Sequence, residues 1–152
     1  MLVSEVMTSD VALVRPEQSI QQAAMLMVEI DIGVLPVGED RRLIGMITDR
    51  DIAVRAVARG KGPDTKVGDV MSPEVKYCFE DEDIENVAQN MGDIKVRRLP
   101  VLNRQKELVG IISLGDIALA DGPDDAGDAL CNISEPGGRH SQSSNGKGTT
   151  AS

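Results

Sequence analysis

The sequence predicts an α/β (α+β) fold made of two tandem repeats, each running strand, helix, strand, strand, helix and packed with pseudo-twofold symmetry. Three observations carry that prediction. The chain matches itself at an offset of 64 residues. Within each copy, short apolar runs bounded by Pro, Gly or charged turns alternate with segments whose apolar residues recur at helical spacing. Finally, 41% of the 152 residues are hydrophobic, enough to bury a core at this length.

The self-match aligns Val3, Val6, Met7, Val11, Ile20, Ala24, Met27, Ile30, Leu35, Pro36 and Val37 with Val67, Val70, Met71, Val75, Ile84, Ala88, Met91, Ile94, Leu99, Pro100 and Val101. After a one-residue insertion in the second turn it continues as Gly45/Gly110, Ile47/Ile112, Asp51/Asp116 and Ile52/Ile117. Most of these identities are apolar, so the duplication speaks first of a shared fold.

In the first repeat (residues 1–60), Val11 to Val14 reads as a short strand. Ser19 with Gln22 three residues on is a capping box opening a helix, and Ile20, Ala23, Ala24, Met27 and Ile30 form its buried face. Val34 to Val37 is extended, with Pro36 suited to a strand edge or start because it cannot donate to a ladder. Glu39 to Arg42 turns the chain and Leu43 to Ile47 returns it. Thr48 opens a helix to about Arg59, and Gly60 is placed to end it. A linker, residues 61–66, leads into the second repeat (67–120). There Val75 to Phe79 is a strand, Asp83 caps a helix with Ile84, Val87, Ala88, Met91 and Ile94 on one face, and strands at Arg98 to Leu102 and Leu108 to Ile112 precede a last helix opened by Ser113. Each repeat alone is marginal in size, so the two are expected to pack together. Residues 121–152, rich in Gly, Ser, Asp and Asn, read as a disordered polar tail.

Composition excludes several functions. The net charge is -9, with one Tyr, one Phe and no Trp, which leaves neither the basic face nor the aromatic platforms that nucleic acid requires. No apolar run is long enough to span a bilayer and no signal-peptide pattern opens the chain. A cytoplasmic protein with no membrane or nucleic-acid partner is expected. Cys78 in an apolar run and Cys131 in the tail make a poor disulfide framework, and with a single His, at 140, they cannot build a zinc site. Reduced thiols and no metal are expected, with Cys78 a small core residue.

The positions that could carry chemistry are the two strand-to-helix junctions, Gly45 to Asp51 and Gly110 to Asp116, both of the form G-h-h-[T/S]-x-x-D with h apolar. A hydroxyl residue followed three later by an acid is a helix cap. The same geometry also suits a nucleotide. A helix N-terminus offers N–H groups and partial positive charge to a phosphate, the Thr48 or Ser113 hydroxyl can bond a ribose or phosphate oxygen, and the Asp51 or Asp116 carboxylate can accept from a ribose diol. With almost no aromatic residues, an adenine would sit between aliphatic side chains such as Val11, Leu13 or Val37.

Together these features resemble a tandem pair of cystathionine β-synthase (CBS) domains, the arrangement called a Bateman module, over about residues 3–120. The resemblance rests on Leu35-Pro36-Val37 and Leu99-Pro100-Val101 and on the junctions ending at Asp51-Ile52 and Asp116-Ile117, which recur at matched spacing. It implies a stand-alone regulatory pair that binds AMP, ADP or ATP in two clefts between repeats, needs no other cofactor, and signals through a homodimer to an unknown effector protein. By the same resemblance, Thr48 and Asp51 hold ribose and phosphate in one cleft, Ser113 and Asp116 in the other, and Arg97 and Arg98 reach the phosphates of the first site. The equivalent Gly33 and Val34 carry no charge, so the Thr48/Asp51 cleft is expected to bind more tightly.

No Cys-His pair, Ser-His-Asp set or Walker-type loop is present, and the acids at the helix starts are placed to accept hydrogen bonds rather than to deliver protons. An enzyme is not expected. The alternative to nucleotide sensing is a ligand-free dimerisation or adaptor module whose carboxylates are only caps.

Overall fold

The computed structural model describes residues 1–121 and 123–134. The chain divides into two compact units, one formed by residues 11–76 with 105–108, the other by residues 1–10, 77–104 and 109 onward. The units therefore exchange the leading segments of the sequence repeats. Helix α1 (Val3–Val6) places Val3 in the core built from the second repeat, and the 3-10 turn Val67–Asp69 places Val67 and Val70 in the core built from the first.

In the first unit, α2 (Ile20–Ile30) starts at the expected box: Gln22 N–H donates to Ser19 Oγ at 3.1 Å and Ser19 N–H to Gln22 Oε1 at 3.0 Å. Its buried face is Ile20, Ala23 and Met27, and it ends with Asp31 in the left-handed region. Strands β1 (Val34–Glu39) and β2 (Arg42–Thr48) form an antiparallel hairpin with Leu35 opposite Ile47. Its two loop residues, Asp40 and Arg41, both take positive φ, as a tight turn matched to strand twist requires. After Thr48 comes a helix of mixed winding: one α-turn, α3 (Asp49–Asp51), a π-helical turn (Ile52–Ala56) and a 3-10 turn (Val57–Arg59), closed by Gly60 at φ 76°.

The second unit repeats the plan with a three-stranded sheet in the order β3 (Cys78–Phe79), β4 (Arg98–Leu102), β5 (Leu108–Ser113). Helix α4 (Ile84–Ile94) packs Ile84, Val87, Ala88 and Met91 inward, and α5 (Leu114–Asp121) follows β5. Asp83 stands at the cap position of α4 without a side-chain cap bond; its carboxylate lies instead 3.7 Å from the N-terminal amine.

Two expectations need correction. The strands expected at Val11 to Val14 and Val75 to Phe79 are shorter: only Val14 bridges β1, in parallel to Val37, and only Cys78 and Phe79 pair with β4. Val14 donates to the Pro36 carbonyl at 3.1 Å and accepts from Gly38 N–H at 2.9 Å. The next rung of a parallel ladder needs an N–H at Pro36, or at Pro100 in the second repeat, and proline has none. Part of the expected disordered tail is also ordered: Pro123–Ser134 is a helix, α6, with Ala129 buried and Ile133 packed on the second core. Gly92 admits it, since a Cβ there would lie 3.0 Å from Ala129 Cα, and Lys95 Nζ donates to the Asn132 carbonyl. Residue 122 and residues 135–152, the remainder of that segment, lie outside the described residues.

Candidate functional site

Each junction is set by a glycine three residues before the end of its strand. A Cβ on Gly45 would lie 2.7 Å from Met71 Sδ and 2.9 Å from the Ser72 carbonyl; one on Gly110 would lie 2.5 Å from Met7 Sδ and 2.9 Å from the Thr8 carbonyl. The leading segment of one repeat thus lies flat on the glycine of the other repeat's strand. It is held there by Met46 with Ser72, and by Thr8 with Ile111.

At the first junction Asp51 N–H donates to Thr48 Oγ1 at 2.9 Å and Thr48 N–H donates to Asp51 Oδ2 at 3.0 Å. At the second, Asp116 N–H donates to Ser113 Oγ at 3.1 Å and Ser113 N–H to Asp116 Oδ2 at 2.9 Å. Both sequence-expected pairs are therefore assembled as reciprocal boxes. Each uses only Oδ2 of its carboxylate, so Oδ1 is the atom that a ligand hydroxyl can address.

Around the boxes the junctions differ. Asp49 N–H donates to the Gly33 carbonyl at 2.9 Å, and its carboxylate returns to take Arg50 N–H at 2.8 Å. That carboxylate lies so close over Gly33 that a Cβ there would be 2.6 Å from Asp49 Oδ2. The N–H groups of Asp49, Arg50 and Asp51, expected to be open to a phosphate, are all taken by acceptors of the chain itself. In the second unit Leu114 N–H donates to the Arg97 carbonyl at 3.0 Å. Leu114, in the place of Asp49, has no acceptor with which to occupy the following N–H of Gly115. The Arg97 backbone thus adjoins the start of the helix that the Ser113/Asp116 box caps, and Arg97 and Arg98 are both exposed.

The aliphatic candidates separate. Val11 and Leu13 keep exposed surface, but Val37 is fully buried in the first core, which makes it a packing residue with no surface to offer an adenine, contrary to the sequence reading. Sequence reasoning also missed Arg55. Its Nε lies 4.0 Å from Asp51 Oδ1, and its Nη1 donates to the carbonyls of Val70 at 3.3 Å and Met71 at 3.1 Å. An arginine four residues after a helical aspartate was the available signal.

Away from the junctions, one charged pair braces an aromatic ring. Arg104 lies over the Phe79 ring, 4.1 Å from its centroid, and forks to Asp81 at 2.7 and 2.8 Å, holding that carboxyl below its usual range. Burial, reinforced by Glu82, pushes the Cys78 thiol up to about 12. Among the described residues there is no group of three or more His, Cys, Asp or Glu suited to a metal ion, and no helix is long and apolar enough to cross a membrane.

Comparison with known proteins agrees with this geometry. The profile of the CBS domain matches twice, over residues 3–57 and 67–122. The CBS domain-containing protein YhcV of Bacillus subtilis is 44% identical over 87% of this chain and 94% of its own length. Two solved structures share the fold. Hypoxic Response Protein I, solved with two coordinated zinc ions, is 35% identical with a TM-score of 0.72 over 79% of this chain and 98% of its own. CBSX2, solved in complex with AMP, is 28% identical with a TM-score of 0.69 over 78% and 94%.

Proposed function

The chain belongs to the CBS-domain family, and from that premise we propose that it is a non-catalytic regulatory module that takes an adenosyl nucleotide at its two strand-to-helix junctions. The observation that carries this reading is the pair of reciprocal boxes, in which one carboxylate oxygen is spent on the cap and the other is left to a ribose. The Thr48 and Ser113 hydroxyls, Asp51 and Asp116 are the ligand-binding groups. Arg97 and Arg98 supply charge-assisted contacts to phosphate, and Val11 and Leu13 supply apolar surface to the base. The AMP complex of CBSX2 supports the ligand class.

Titration calorimetry with adenosine, AMP, ADP and ATP tests the reading. Wild-type protein is expected to bind, and the double variant Asp51→Asn/Asp116→Asn, which keeps an acceptor for each cap but loses both charges, is expected to lose binding while melting cooperatively. Ligand at about 100 times its dissociation constant stabilises a one-site protein by about 2.7 kcal/mol, so a thermal shift is the second readout.

A ligand-free dimerisation or adaptor role is the competing reading. It is favoured by the completeness of both caps without any ligand and by apolar residues left in solvent on the first repeat's helices, Met25 at 64%, Val28 at 82% and Val57 at 66% exposure. A particle of about twice 16.2 kDa that binds none of the four compounds would decide for it.

A further inference from the structure

In the first repeat Arg55 touches two things that its second-repeat counterpart cannot. Its guanidinium faces Asp51 Oδ1 at 4.0 Å on one side and donates to the carbonyls of Val70 and Met71 on the other. The residue in register with it in the second repeat is Ala120, in a helix of regular α winding, whereas Arg55 stands in the π-helical turn Ile52–Ala56. A π-turn is a rare local widening that recurs at functional positions. Here it coincides with the one cation, among the described residues, that joins a candidate ligand carboxylate to another segment of the chain.

The segment that Arg55 holds is where the chain leaves its unit. Met71 lies on Gly45, Ser72 pairs with Met46, and four residues later, between Lys76 and Tyr77, the chain passes from the first unit to the second. We propose that Arg55 is the positioning residue that couples the charge state and occupancy of Asp51 to residues 70–76, giving the first junction a line to the inter-unit connection that the second junction lacks.

The physical step is competition for one carboxylate oxygen. A hydroxyl that donates to Asp51 Oδ1 shares the charge that attracts the arginine, and the planar guanidinium, fixed to two carbonyls, transmits the change as a shift in how firmly those carbonyls are held. Asp51 is 16% exposed and Arg55 45%, so both side chains of the pair reach solvent. The proposal rests on the reading of Asp51 as a ligand carboxylate only for its physiological meaning. The coupling itself is a property of the free chain.

The test is a double-mutant cycle read by amide exchange of the peptide covering residues 67–76, in full-length protein without ligand. Asp51→Asn is expected to speed exchange there by about twofold or more in the Arg55 background and to do nothing further once Arg55→Ala is in place, because directly interacting residues couple non-additively. Arg55→Lys, which has one nitrogen in place of the Nε that faces Asp51 and the Nη1 that holds the carbonyls, is expected to recover only part of the coupling. Additive effects of the two substitutions, or no change at residues 67–76, would overturn the proposal. A parallel arm adds AMP: a wild-type protein that binds AMP, and whose 67–76 exchange changes only when Arg55 is present, extends the coupling to occupancy. AMP that binds without moving that peptide overturns the occupancy claim. Failure of AMP to bind at all counts against the ligand reading and leaves the ligand-free cycle to decide the coupling.

Discussion

At the first junction the Asp49 carboxylate folds back over Gly33 and takes the Arg50 N–H, whereas at the second the corresponding places hold Leu114 and Arg97. On the helix faces the contrast recurs: Met25 and Val28 of α2 stand in solvent, while their counterparts on α4 are Gln89 and Gly92, and α6 lies across Gly92. What the two repeats keep in common is backbone chemistry, namely the glycine that admits a neighbouring carbonyl, the proline that ends a ladder and the hydroxyl-acid box that caps a helix. Electrostatics and outer surface have diverged around that frame. A duplication therefore preserves the hydrogen bonds that make the fold and leaves charge free to differ.

The largest expected effect tests what is shared. Gly45→Val and Gly110→Val each push a branched side chain against a backbone carbonyl 2.9 Å from the Cβ position, and each is expected to cost about 3 kcal/mol. Chemical denaturation gives the value. A large loss at one glycine and none at the other would break the equivalence of the two close approaches.

What is not shared is tested next, by the single box variants. At the Ser113/Asp116 box the backbone of an arginine, Arg97, takes the place of Gly33, and leucine replaces the Asp49 whose carboxylate occupies the Arg50 N–H, so phosphate should favour it. Asp116→Asn is expected to weaken AMP by about 2 kcal/mol, the scale of a hydrogen bond to a charged group, and Asp51→Asn by less. The family resemblance implies the reverse order, with the arginines serving the first box. Calorimetry on the two single variants decides between them.

Most of the frame was legible in the sequence because its signals are local. Ser19 with Gln22, Thr48 with Asp51, Ser113 with Asp116, and Gly60 each announce a helix end through their own hydrogen bonds or φ. Shortening of the two leading strands was legible too, had the missing N–H of Pro36 and Pro100 been followed one rung further. The exchange of leading segments was not, since whether Val67 belongs to its own core or the other depends on contacts far apart in sequence. Helix α6 was hidden by composition: its Gly and Asp content reads as loop, while Pro123 as a first helical residue and Ala129 with Ile133 at helical spacing were a quieter signal. The acceptor that fills the first junction was invisible because Asp49 looks like any first-turn acid until Gly33 lets it fold back.

Helix α6 gives a smaller and sharper test of the same contrast. Gly92 is a helix-interior glycine, and such a residue is worth about 1 kcal/mol less than alanine in an uncovered helix. Yet its Cβ position is 3.0 Å from Ala129 Cα. Gly92→Ala is accordingly expected to destabilise the full chain and to stabilise a chain ending at residue 121 by about 1 kcal/mol. A change of the same sign in both would mean that α6 does not press on α4 as described.

The smallest effect at neutral pH concerns a pair in register, Val14 and Cys78. Both are buried, and both face the middle strand position of their unit, Val14 opposite Val37 and Cys78 opposite Val101. Cys78→Val makes the second core resemble the first there and, as a swap between small apolar groups, should change stability by less than about 1.5 kcal/mol at pH 7. The difference appears in alkali. Burial, and then the nearby negative charge of Glu82, raise the folded thiol from the ordinary 9.0 to about 12. The protonated thiol is thus favoured in the fold. Its contribution is fully present below pH 9, and it is lost as pH rises from about 9 towards 12, where the unfolded chain ionises and the folded one does not. Wild-type protein is expected to lose about 1 kcal/mol between about pH 9 and pH 10 from this group, and Cys78→Val to lose none of it. The exposed Cys131 supplies the control, because it should react with a thiol reagent in the folded state while Cys78 reacts only on unfolding. Parallel alkaline stability curves for wild type and variant, or rapid modification of two thiols in native protein, would show that the second core is open where the first is closed.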